Sequence, residues 1–159
     1  QEYKEKVYQN KETELPHFIH FDNEQKQIEA LLRLVKENLG RNIGILLPNN
    51  PEVIRISQEF MDNDVECEFK YNKGENDFDY VDNLDFNTLL PKILTYHSAK
   101  GLQFDMVLLP IYNGANDDES RKALYVAMTR TMHSLYVLYS TQTLLPPLDK
   151  VPSHLYLKE

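Results

Sequence analysis

The residues best suited to chemistry fall in two short segments. The first, Thr95 to Asp105, reads TYHSAKGLQFD and interrupts two apolar runs. It sets hydroxyls, the imidazole of His97, the cation Lys100 and the single glycine Gly101 close together. Donors, one positive charge and a backbone able to turn sharply suit a phosphate backbone. The same composition also makes an ordinary turn whose His97 and Lys100 are only solvated, because short glycine motifs are weak evidence. The second segment, Arg121 to Ser140, reads RKALYVAMTRTMHSLYVLYS and carries Arg130 near the end of a helical pattern. An arginine there complements the partial negative charge at a helix C-terminus. Its alternative use is as a rigid cation presented to the charge that develops on a transferring phosphoryl group.

Both segments need a scaffold, and the pattern around them supplies one. HFIHF, His17 to Phe21, reads as a short strand. Asp22 with Gln25 predicts a capping box for a helix whose Ile28, Leu31, Leu32, Val35 and Leu39 recur at helical spacing until Gly40. NIGILLP, Asn42 to Pro48, is a continuous apolar run of the kind found in strands buried on both faces. Asn50 and Pro51 then signal a helix start, with Val53, Ile56, Phe60 and Met61 as the inner face. Strands are expected at Val65 to Tyr71, Lys92 to Tyr96, Met106 to Pro110 and Ser134 to Ser140, and a helix at Glu119 to Met132. The acidic, turn-rich stretch from Asn72 to Asn87 is expected on the surface. Strands alternating with helices predict an α/β fold: a mostly parallel sheet with helices on both faces. In such sheets ligands bind where loops leave the carboxyl ends of strands, and Thr95 to Asp105 reads as such a loop.

The bulk numbers narrow the function. The chain of 159 residues suits one domain, expected at residues 17–140 between a polar arm, 1–16, and an extended, proline-bearing tail, 141–159. With 25 acidic against 17 basic side chains the formal net charge is -8, so the chain has no general attraction for nucleic acid and any such contact is local. Cys67 is the single cysteine, which excludes an internal disulfide or a cysteine-based zinc site and fits a reducing, cytoplasmic setting. No apolar run approaches the ~20 residues that span a bilayer, and the N-terminal residues do not read as a signal peptide. The first residue, Gln1, suggests a piece of a longer protein.

Taken together, LTYHSAKGLQFDMVLLP and ALYVAMTRTMHSLYVL resemble the fifth and sixth motifs of the UvrD, PcrA and Rep group of superfamily-one DNA helicases. Those motifs have the forms T-x-H-x-A-K-G-L-E-F and Y-V-A-x-T-R-A. The joint match, in order and with a strand and loop between, is far more specific than either half. NIGILLPNNPEVIRISQEF sits where the family places its fourth-motif strand and helix, more loosely, and the resemblance covers roughly residues 18–140. It implies a RecA-like second motor domain, a three-layer sandwich. By the same resemblance Arg130 would be the arginine finger, Gly101 and Gln103 would line the nucleotide cleft, and Tyr125 would support Arg130. Thr95, His97 and Lys100 would face single-stranded DNA. ATP and Mg2+ would be held mainly by an upstream RecA-like domain of the same protein. The motif style implies 3' to 5' movement.

Three departures qualify that resemblance. Family members usually carry Glu where this chain has Gln103, which keeps hydrogen-bonding capacity and loses the charge. UvrD carries a large accessory domain between its fourth and fifth motifs, whereas only about twenty residues, Asn72 to Pro91, fill that interval here, as in compact members. No G-x-x-x-x-G-K-[ST] phosphate loop occurs in the sequence, so the isolated chain is expected to be inactive. A second possibility is a helicase-like interaction module that has lost motor activity, for which Gln103 and the acidic loop Asp77 to Asp85 are modest hints. A receiver or flavodoxin-like domain fits less well, since no acidic cluster follows the first strands.

Overall fold

The computed structural model describes residues 15–72, 80–111, 125, 127–140 and 157–158. Its elements in chain order are β1 (His17–His20), α1 (Glu24–Glu37), β2 (Ile43–Leu47), α2 (Asn50–Asp62), β3 (Glu68–Asn72), β4 (Tyr80–Asp82), β5 (Lys92–Thr95), β6 (Phe104–Ile111), β7 (Thr131–Tyr139) and β8 (Leu157–Lys158). The strands form one sheet in the order β4-β3-β5-β2-β6-β7-β1-β8. Every pairing is parallel except β3 with β4. The expected α/β architecture is therefore what the chain adopts.

The sheet has an apolar core on each side, which is why β2 reads as an uninterrupted apolar run and is buried throughout. One core gathers Ile28, Leu31, Val35, Val53, Ile56 and Phe60 from α1 and α2 against Ile43, Ile45, Ile93 and Leu108. The other gathers Phe18, Leu46, Leu94, Phe104, Leu109 and Val137 with Tyr96, Ala99, Ala127 and Met128. That second side carries both chemistry-bearing segments.

Several local expectations shift. Asn23, not Asp22, caps α1: its backbone is extended and its Oδ1 accepts the Lys26 N–H at 2.9 Å, while Asp22 pairs with the Lys26 ammonium at 3.1 Å. Asn49 likewise caps α2 through the Glu52 N–H at 3.0 Å, placing Asn50 inside the helix. Leu39 lies beyond the end of α1 and Met61 faces outward on α2, so both are exposed. The surface stretch contains β4, paired antiparallel with β3. Strand β7 begins at Thr131, so Met132 belongs to a strand and the preceding helical segment ends by Met128. The expected helix start near Glu119, the polar arm through residue 14 and most of the tail lie outside the described residues; of the tail, Leu157–Lys158 adds a strand beside β1.

Candidate functional site

The segment after β5 does more than leave one strand end. β5 and β6 are both parallel neighbours of β2, so residues 96–103 cross over β2 from the carboxyl edge of the sheet to its amino edge. The two ends of this crossover present different chemistry.

At the carboxyl edge, Tyr96 N–H donates to Leu47 O at 2.8 Å and carries the chain off the sheet. The turn closes through Ala99 N–H to Thr95 O at 3.0 Å and Lys100 N–H to His97 O at 3.2 Å. Tyr96 and Ala99 point into the core three residues apart, so His97 and Lys100, also three apart, point out. Thr95 lies beneath this turn: it is buried, and its Oγ1 accepts the Ser98 N–H at 3.0 Å. Its hydroxyl thus positions the turn that displays the other two. Burial, and secondarily the charge of Glu52, raises the Tyr96 phenol above its ordinary pKa, so it stays neutral. Gly101 holds φ at +87°, and no atom lies within 4 Å of where its Cβ would stand; the turn needs its conformation, not its small size.

At the amino edge the crossover meets the second segment. Phe104 N–H donates to Arg130 O at 2.9 Å, which clasps the start of β6 to the turn before β7. Asn42, just before β2, adds a second tie, with its side-chain amide donating to Gln103 O at 3.3 Å. Beneath them the Phe104 ring lies over Gly44, where a Cβ would stand 2.7 Å from it, so β2 needs a glycine there. Gln103 is exposed and its side chain makes no hydrogen bond among the described residues. Arg130 is half-buried; its Nε is buried without a partner, and its guanidinium forms no ion pair among the described residues. By contrast Arg55 bridges Glu24 at 2.9 Å and Glu52 at 3.3 Å, and Lys92 is buried against Glu68 at 3.4 Å. Among the described residues Arg130 thus differs from Arg55 and Lys92, whose charges are matched by carboxylates. Tyr125 is half-buried against the core cluster that includes Ala127 and Met128.

The structure thus brings Gln103 and Arg130 to one edge and Thr95, His97 and Lys100 to the other, with Gly101 in the turn that follows Lys100 and Tyr125 packed against the core on the same face. Asn42 and Gly44, which hold the amino edge together, carry no motif-like signal in the sequence; their roles depend on strand order. Among the described residues no group of three His, Cys, Asp or Glu side chains is placed to hold a metal ion, and no helix is long and apolar enough to cross a membrane.

Residues 92–138 match the model of the UvrD-like helicase C-terminal domain, a span that contains all seven of these residues. The crystal structure of the C-terminal domain of a possible DNA helicase from Lactobacillus plantarum WCFS1 superposes with a TM-score of 0.71 at 20% identity, covering 98% of this chain and 92% of that one. Among the curated proteins none matches significantly. The paired motifs and the family match make residues 92–138 similar to a UvrD-like helicase C-terminal domain, and the structural likeness shows a shared fold.

Proposed function

We infer that this chain is the second motor domain of an ATP-dependent DNA helicase or translocase, and that it completes a nucleotide site held mainly by another RecA-like domain. The observation that carries this reading is Arg130, a half-buried arginine with no ion pair among the described residues, anchored through its own carbonyl to the residue that follows the exposed Gln103. Leaving a guanidinium nitrogen buried and unpartnered costs on the order of 1–3 kcal/mol. An external anion reached in a closed state would offset that cost.

ATP, bound between this domain and its partner, supplies the phosphoryl group whose transfer to water drives the motor; Mg2+ goes with the phosphate cradle of the partner domain. Arg130 presents a fixed positive charge to the terminal phosphate as the cleft closes. The Gln103 amide, exposed at the same edge, hydrogen-bonds the nucleotide sugar, and the Tyr125 ring braces the turn that carries Arg130. At the far edge His97 and Lys100 grip single-stranded DNA, held out by the turn that Thr95 closes. Alternate closing and opening, with alternate grips on DNA, converts turnover into stepping.

A motor-dead interaction module is the second reading, favoured by the missing carboxylate at Gln103. Turnover separates the two. The full-length protein should hydrolyse ATP faster with single-stranded DNA, while the pure 159-residue chain should show none. Measurable turnover by the pure chain would contradict the shared site, and a DNA-insensitive full-length protein would favour the module.

A further inference from the structure

The loop between β4 and β5 is held with unusual firmness for a surface segment. Glu68 and Lys92, the first residues of β3 and β5, are 4% and 2% exposed and form an ion pair at 3.4 Å. Glu68 accepts the Asp85 N–H at 3.0 Å and the Thr88 hydroxyl at 2.7 Å, while Lys92 Nζ donates to Thr88 O at 3.1 Å and Leu90 O at 3.2 Å. Removing one member of such a buried pair leaves an uncompensated charge, so the pair fixes the loop's conformation strongly. Yet the loop displays apolar groups: Phe86 is 64% exposed and Leu89 56% exposed, on either side of the exposed Asn87 amide and the anchoring Thr88.

Its place in the sheet gives the display a direction. Lys92 opens β5 as Phe104 opens β6 and Thr131 opens β7, so the loop and Arg130 stand at the same amino edge. Leu84 packs on the core that also receives Phe104, Ala127 and Met128, which puts loop and Arg130 turn on the same face as well. From β5 to β7 there are three strand spacings, about 14 Å, and the start of β6 with Gln103 lies between them. That order and length correspond to an extended nucleoside triphosphate, with its phosphates at Arg130 and its sugar at Gln103.

The geometry points to Phe86 as a platform for the nucleotide base, with Leu89 beside it and the Asn87 amide available to the base edge. This assignment rests on the nucleotide site proposed above and extends it to the base. A rigid loop loses little freedom when a ring stacks on it, and a flat apolar face suits a purine better than a triphosphate. The local acidity of Asp82 and Asp85, both exposed, fits the uncharged end of the ligand and would repel its phosphates.

The test uses the full-length protein and two probes, a non-hydrolysable ATP analogue and inorganic tripolyphosphate, which lacks a base. Phe86→Ala should weaken the analogue about tenfold or more and leave tripolyphosphate unchanged, with Phe86→Tyr restoring wild-type affinity. Equal losses for both probes would overturn the assignment, because the loop would then act through domain closure. No loss for either probe would also overturn it. A wild-type protein that binds neither probe would sink the nucleotide site itself, a failure distinct from the loss of the base platform alone.

Discussion

The two ends of the 96–103 crossover differ in what they do with their polar groups. At the carboxyl edge most are spent on the fold. Thr95 closes a turn, Asn23 and Asn49 cap helices, and Glu24 and Glu52 share Arg55. Only His97 and Lys100 of the crossover's polar groups are fully turned outward there. At the amino edge the backbone does the holding, through Phe104 to Arg130 and Asn42 to Gln103, and the Gln103 and Arg130 side chains are left for something else. A site that must meet a ligand held by another body needs its framework satisfied by backbone so that its side chains remain available.

The strongest way to break this contrast is to disturb the joint that serves both ends. Gly44→Val would drive a branched side chain into the Phe104 ring, which already lies 2.7 Å from an ideal Cβ. We expect a loss of about 3 kcal/mol by chemical denaturation, with nucleotide turnover and DNA binding falling together. An unchanged denaturation midpoint would mean that Phe104 does not hold the two edges in register.

A smaller change addresses the carboxyl edge alone. Replacing His97 and Lys100 with alanine should weaken single-stranded DNA binding and make its log–log salt dependence shallower by about 0.7, one phosphate contact from the lysine. Turnover at saturating DNA should persist. If the slope is unchanged, these two side chains are merely solvated.

Much of this scaffold was legible in the sequence because periodicity reports burial. The uninterrupted run of β2 and the helical spacing of Ile28, Leu31, Leu32 and Val35 correspond to buried residues. Errors fell where one residue decides the outcome. Asp22 and Asn23 can both cap a helix, as can Asn49 and Asn50, and the choice depends on which backbone is extended. Met61 is apolar and nearly in phase, yet Phe60 takes the inward position beside it. β4 is three residues of an acidic stretch, too short for alternation to show. The candidate residues themselves were visible as motifs, but their division between two edges was not, because it follows from β5 and β6 flanking β2. Likewise Phe86 carries no motif, and its significance depends on the buried Glu68–Lys92 pair beneath it.

The central claim is that Arg130 is held ready for a phosphate on another domain, and one measurement addresses it directly. In the full-length protein, steady-state ATP hydrolysis at saturating single-stranded DNA should fall about 1000-fold on Arg130→Ala, while binding of the non-hydrolysable analogue stays largely intact. Turnover near the wild-type rate in that variant would contradict the account and leave Arg130 as a helix-end cation.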